Sequence, residues 1–261
     1  MPPLLSLQNI TAGYGGKAVI NDICFDVCAS EFCALLGLNG SGKTTLLKTI
    51  CGLLPAISGK IIVSGEDCTE LGEHKRSRHM SYILQRHSKL IGVTVMDAVL
   101  MGLNPNLGLF NYPTATDKAR AEETLEKFGI AHLAGKDFSK LSEGQKQIVI
   151  LTRTLIQDTP VMLMDEPDSA LDFSNRHKTL KRIRKLIHSE KKAGLVTLHD
   201  PNLALEYCDR LILLDDGINT SEIHLESATA QEIETCLKTI YSNISLIQHG
   251  GKHIVISNNA D

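Results

Sequence analysis

The sequence predicts an α/β fold in which a mostly parallel sheet is covered by helices on both faces. Short apolar runs alternate with stretches of helical periodicity, a pattern that lays strands side by side with helices crossing between them. One run, residues 32–36, passes straight into a glycine-rich loop and then into a helical pattern. The middle third carries helical periodicity without a strand, as an inserted helical subdomain would.

Taken in order, residues 4–10 and 18–28 alternate or are β-branched and read as strands of an N-terminal antiparallel β region, and 32–36 reads as a third strand. KTTLLKTICG at 43–52 reads as a helix ended by Gly52, with Pro55 just beyond. SYIL at 81–84 is a short strand, followed by helical patterns at about 94–102, 116–128 and 144–157. VMLM at 161–164 and GLVTL at 194–198 are further short strands, and SLIQHGGKHIVIS reads as a hairpin turning at Gly250 and Gly251. The expected organisation is one domain, with a core over about 1–85 and 160–217, a helical subdomain over about 86–159, and a C-terminal helix and hairpin over about 218–261.

The charge balance of 27 Lys and Arg against 30 Asp and Glu gives a net charge of −3, which argues against a nucleic-acid partner. The basic segment at 176–192 carries Leu180, Ile183 and Ile187 at helical spacing, so its charges read as the outer face of an amphipathic helix. Seven cysteines contain no CxxC pair, and their odd number argues for reduced core thiols. The start MPPLLSLQNITAGYGG lacks the basic and apolar parts of a signal peptide, and no stretch reaches the roughly 18 apolar residues of a membrane span. A cytoplasmic chain that reaches a membrane only through a partner is expected.

Chemistry enters at GLNGSGKTT, residues 37–45, which matches GxxxxGK[ST] between a strand and a helix. Gly40 and Gly42 let backbone N–H groups curl around phosphate oxygens. Lys43 reaches the β- and γ-phosphates, Thr44 offers a hydroxyl to Mg²⁺, and the helix N-terminus faces the anion. Gly37, Asn39, Gly40, Ser41, Gly42, Lys43, Thr44 and Thr45 are therefore nucleotide-binding candidates, and the fold narrows to a P-loop NTPase of RecA-like type. Downstream, VMLM delivers Asp165 and Glu166 to the carboxyl end of a buried strand, where open α/β sheets build ligand sites. Asp165 is the metal candidate, and Glu166 the group that polarises the attacking water.

A third segment, Leu141-Ser-Glu-Gly-Gln145, precedes a long helical pattern. Alone, Ser142 and Gln145 read as a capping box. In this order the motifs resemble the ABC family of ATPases, whose LSGGQ signature Ser142 and Gly144 match, with Glu143 in place of its first glycine. The resemblance spans roughly residues 4–217 and implies a head-to-tail dimer in which Ser142, Gly144 and Gln145 face the ATP held by the other copy. It also implies that Tyr14 stacks on adenine and that Gln85 senses Mg²⁺ and the attacking water, although Leu84 stands where a proline is frequent. Ser169 to Asp172 match the loop that crosses between subunits, with Asp168 where threonine is common, and His199 matches the switch histidine that reaches the γ-phosphate.

The segments GVTVMDAVLMGLNP and HDPNLAL are similar to the ATPase subunits of importers for iron-siderophores, haem or cobalamin, although Leu103 replaces a frequent arginine. This implies an ATP-hydrolysing subunit that works with Mg²⁺ and a second copy of itself. It would sit on the inner membrane face through permease subunits, served indirectly by an extracytoplasmic binding protein. The alternative is a non-transport ABC ATPase, such as an iron–sulfur cluster assembly component. A catalytically silent regulator is disfavoured because Glu166, Gln85 and His199 are all present.

Overall fold

β1 (Pro3–Tyr14) and β2 (Lys17–Cys28) form an antiparallel pair that closes at Tyr14 opposite Lys17. The computed structural model describes residues 2–84, 90–107, 111–169 and 171–258. β3 (Glu31–Leu36) is buried at every residue, as a strand covered on both faces must be, and leads into α1 (Lys43–Cys51). β4 (Ala56–Val63) and β5 (Glu66–Asp67) complete an antiparallel sheet in the order β2-β1-β4-β5. After α2 (Glu73–Arg76) and β6 (Met80–Ile83) come the helices α3 (Val95–Leu100), α4 (Ala115–Lys127) and α5 (Glu143–Gln157). The chain continues through β7 (Val161–Asp165), α6 (Phe173–Ser189), β8 (Ala193–Thr197), α7 (Pro201–Tyr207), β9 (Arg210–Asp215) and β10 (Ile218–His224). It ends in α8 (Ala230–Leu237) and the hairpin β11 (Ile244–His249) and β12 (Lys252–Ser257).

The central sheet has the order β10-β9-β3-β8-β7-β6 and is parallel from β9 to β6, with β10 antiparallel at one edge. The mostly parallel α/β sheet and the N-terminal antiparallel region are thus as the sequence predicts. Residues 218–224, expected with the C-terminal helix and hairpin, instead add β10 to the central sheet. Its alternating, largely polar residues need only one covered face, so no continuous apolar run announces it.

Each face of the central sheet has its own core. On one side Ile20, Leu46, Ile50, Leu195 and Ile212 pack between α1 and the antiparallel sheet. On the other, Leu180, Ile183 and Ile187 of α6 pack with Phe32, Val196 and Leu213, leaving Lys178, Lys181 and Lys185 exposed. A third cluster, including Val95, Val99, Leu125 and Phe138, belongs to the helical middle. Helix α5 joins two of these, since Val149 and Ile156 lie in the helical cluster and Leu151 in a sheet core.

The far end of α1 is tied down by the buried Arg76. Its guanidinium donates to the carbonyls of Thr49 (2.6 Å) and Ile50 (3.0 Å), and also to Leu71 and Thr69. Gly52 makes room for it: at φ 85° it adopts the left-handed conformation that ends the helix, and a Cβ there would lie 2.8 Å from the Arg76 side chain. All seven cysteines are free. Among the described residues no helix is long and apolar enough to cross a membrane.

Candidate active site

The loop from β3 to α1 meets the carboxyl ends of β7 and β8, as the parallel register requires. Val19, Asn39, Gly40, Gly42, Lys43, Thr44, Thr45, Glu166 and His199 line one cleft of about 300 Å³. Gly42, the cap of α1, sits at φ 97° with its Cα against Ile20, where a Cβ would approach the isoleucine methyl to 2.5 Å. Only glycine fits both the conformation and the space. The Lys43 ammonium is buried beneath the loop and donates to the carbonyls of Gly37 (2.8 Å) and Leu38 (2.9 Å). Burial pushes its pKa down, while Glu166 and Asp165 pull it back up. The Ser41 hydroxyl is also buried and has no hydrogen-bond partner among the described residues.

The two carboxylates at the end of β7 are held differently. Asp165 Oδ1 accepts from the Thr197 hydroxyl at 2.8 Å and lies 3.4 Å from the Thr44 hydroxyl, while its Oδ2 accepts from Tyr82 at 3.2 Å. Thr197 in turn accepts from the Glu166 backbone N–H at 2.9 Å. One hydroxyl therefore ties both acidic residues to β8, directly opposite Asp165 in the parallel register. Burial and the Asp165 charge raise the Tyr82 pKa, keeping its phenol a donor. Glu166 has φ 48°, a left-handed backbone that costs an L-residue about 1 kcal/mol or more and that recurs at functional sites. Its carboxylate Oε1 stands 2.6 Å from His199 Nε2.

The remaining candidates lie elsewhere. Tyr14 ends β1 and is half exposed; it does not line the cleft, to which the adjacent strand contributes Val19. Gln85 lies outside the described residues. Ser142 caps α5 in a full capping box: its hydroxyl accepts from Gln145 N–H (3.3 Å) and its own N–H donates to Gln145 Oε1 (3.1 Å). Glu143 turns along the helix to pair with Lys146 at 2.7 Å. Asp172 caps α6, accepting from the backbone and side chain of Asn175 at 2.8 and 2.9 Å. A Cβ at Gly144 would stand 3.3 Å from that Asn175 side chain, so the N-termini of α5 and α6 adjoin. None of Ser142, Gly144, Gln145 and Asp172 lines the cleft of its own chain.

Thr197 and Tyr82 are site residues that the sequence reading misses. The signal was a threonine at the end of a buried apolar strand, but its partner is fixed only by the strand register.

A family model described as ABC transporter matches residues 20–169, more than half of the chain. The chain belongs to the ABC transporter family. It is an ATP-binding ATPase of that family. A Helicobacter pylori protein named for iron chelatin transport, an ATP-binding protein, is 32% identical over 97% of this chain and 98% of its own length. A hemin import ATP-binding protein of Vibrio parahaemolyticus is 37% identical over 82% of each chain. Among solved ABC structures, a metal-chelate type transporter in an inward-facing conformation aligns with TM-score 0.80 and 26% identity, over 97% of this chain and 96% of the other. A dimeric bacterial ABC cassette aligns with TM-score 0.74 and 26% identity, over 85% and 98%.

Proposed function

We propose that two copies of this chain close head to tail on ATP and magnesium and hydrolyse it to drive uptake of an iron-chelate-type substrate through membrane permease subunits. The carrying observation is the split of the functional residues: the phosphate loop, Glu166 and His199 share one cleft, with Asp165 beside Thr44 at its edge, while the signature residues of α5 lie outside it. A second copy supplies what one cleft lacks. The relatives named for iron chelatin and hemin support the importer reading and the substrate class, and the dimeric cassette supports the pairing. Under this reading the chain sits on the inner membrane face, with an extracytoplasmic binding protein as an indirect partner and the helices of residues 86–159 as the arm that meets the permease.

The residues fit their roles chemically. The buried Ser41 hydroxyl and the Lys43 ammonium suit phosphate oxygens. Thr44 and Asp165 bring a hydroxyl and a carboxylate oxygen side by side, the hard donors magnesium prefers. When bound, magnesium neutralises developing phosphate charge. Glu166 takes the proton of the attacking water, and His199 orients that carboxylate and reaches the γ-phosphate. Ser142 and the α5 N-terminus bring the partner's positive end to the same phosphate. Tyr14 offers its exposed ring face to adenine, and Gln85, outside the described residues, takes the magnesium- and water-sensing role that the family resemblance implies.

Mixed dimers test the arrangement. Pairing Lys43→Ala with Ser142→Arg chains places both defects in one composite site, so the other binds ATP normally. Phosphate release by the mixture should need magnesium and exceed that of either variant alone at least tenfold, as expected when charge-assisted contacts worth about 1.5–3 kcal/mol are restored. No recovery in verified mixed dimers would overturn the head-to-tail reading.

A further inference from the structure

Helix α7 begins two residues after His199 and has only seven residues, too few to hold its position by helix propensity. One face is fixed by Leu203, Ala204 and Tyr207, which are buried in the core on that side of the sheet. The other face meets the C-terminal hairpin. Asn202, in the first turn, pairs with the backbone of β12 through both ends of its carboxamide: it donates to the Val255 carbonyl at 3.2 Å and accepts the Val255 N–H at 2.7 Å. Only a side chain with donor and acceptor on one planar group can match a backbone unit in this way. A turn later, Glu206 accepts from Lys252 at 2.6 Å and stands 3.6 Å from His177 of α6, whose Nδ1 lies 2.8 Å from the Tyr207 hydroxyl.

The hairpin is equally dependent. It is a separate two-stranded sheet, a unit marginal on its own. It is held by Leu246 and Val255 against the core and by the Leu246 N–H donating to Glu234 at 2.9 Å. Two marginal elements thus fix one another, and one of them starts where His199 ends. Asp200, between His199 and the helix, caps α7 by accepting the Asn202 N–H at 2.9 Å, so Asn202 is bonded to the hairpin by its side chain and to the residue beside His199 by its backbone.

We propose that the C-terminal hairpin is a clamp on α7, with Asn202 as the positioning residue that sets the reach of His199 to Glu166. The proposal rests on the catalytic reading of His199 and Glu166 given above. It assigns to the hairpin an effect on turnover with no effect on nucleotide binding, since the hydrogen bonds that join the hairpin to α7 among the described residues end on Asn202 and Glu206, neither of which lines the cleft.

The test uses the full chain with ATP and magnesium, measuring steady-state phosphate release, affinity for a fluorescent ATP analogue, and hydrogen exchange of the α7 amides. Asn202→Ala should lower kcat about tenfold, as expected for two lost hydrogen bonds of ordinary strength. The KM for ATP and the analogue affinity should stay within about twofold, and the amides of Leu203 to Cys208 should exchange at least about tenfold faster. Asn202→Asp keeps the acceptor for the Val255 N–H and loses the donor, so it should fall between parent and alanine. Lys252→Met, which removes only an exposed ion pair, should change kcat less than about threefold.

In a His199→Ala background Asn202→Ala should cost nothing further, because the residue acts through His199. An equal loss of turnover with and without His199 would overturn the clamp's link to the site, and unchanged α7 exchange in Asn202→Ala would overturn the clamp itself. A His199→Ala chain that turns over at the parent rate strikes the functional reading. A slow His199→Ala beside an unaffected Asn202→Ala strikes the clamp alone.

Discussion

The cleft and the N-terminus of α5 are both polar, yet they are built oppositely. In the cleft and at its edge, Lys43, Glu166 and the adjoining Asp165 are buried and bonded to groups from other elements: loop carbonyls, Thr197 of β8, Tyr82 of β6 and His199. At α5, Ser142 and Glu143 are exposed and satisfied locally, by Gln145 and Lys146 of the same helix. The first arrangement is set by tertiary structure and has its charges in place before any ligand arrives. The second is a self-contained helix end whose partial positive charge is free to be offered to something outside the chain. Mutations in the cleft should therefore have large, coupled effects, and those at the helix end should be small unless a partner is present.

The sharpest break of that contrast comes from Glu166→Gln. The amide hydrogen-bonds but is a poor proton acceptor, so phosphate release should fall about a hundredfold to a thousandfold while affinity for a fluorescent ATP analogue changes little. A parent-like rate would move the base elsewhere. Next is Thr197→Val, which removes the hydroxyl that ties Asp165 and Glu166 together and leaves the buried Glu166 N–H without its acceptor. Turnover should drop about tenfold and stability by about 1–3 kcal/mol in denaturant unfolding, the cost of an unmade buried hydrogen bond.

Glu143→Gly probes the helix end. Its ion pair with Lys146 is exposed, and a carboxylate in the first turn favours the helix by only about 0.3–1 kcal/mol. ATP-driven dimerisation, followed by sedimentation, and turnover should each change less than about fivefold. A larger gain would show that this charge opposes the phosphate. The smallest effect belongs to Asp168, whose pKa burial raises, with Arg176 partly offsetting. A raised folded-state pKa means that ionisation costs the folded form, so the parent loses stability as pH rises through that pKa. Asp168→Asn should accordingly melt about 1–3 °C higher than the parent at neutral pH, and the gain should vanish in acid, below the ordinary aspartate pKa.

Legibility in the sequence follows the same division. β3, β7 and β8 stand out because strands buried on both faces read as nearly continuous apolar runs, and the glycine loop and the Asp-Glu pair lie at their ends in plain view. Ser142 and Gln145 are legible as a capping box because three residues suffice to make one. What stays hidden depends on register or on distant contact. Thr197 reaches Asp165 only because β8 lies beside β7 in that alignment, Tyr82 reaches it from β6 on the other side of β7, and Asn202 meets Val255 across 53 residues. β10 escapes because an edge strand needs no apolar run.

Arg76 has an effect at a distance. Its guanidinium donates into the last carbonyls of α1, the negative pole of the helix whose other end is the glycine loop. With that pole cancelled, a phosphate at the loop faces what amounts to a single positive charge rather than the two ends of a dipole. Nine residues at about 1.5 Å each separate the end that Arg76 caps from the glycine loop by some 13 Å along the helix, beyond contact. Because the intervening path is buried protein, dissolved salt shields it little. On the proposed reading, a residue that touches no nucleotide strengthens the grip on it, and does so almost regardless of ionic strength.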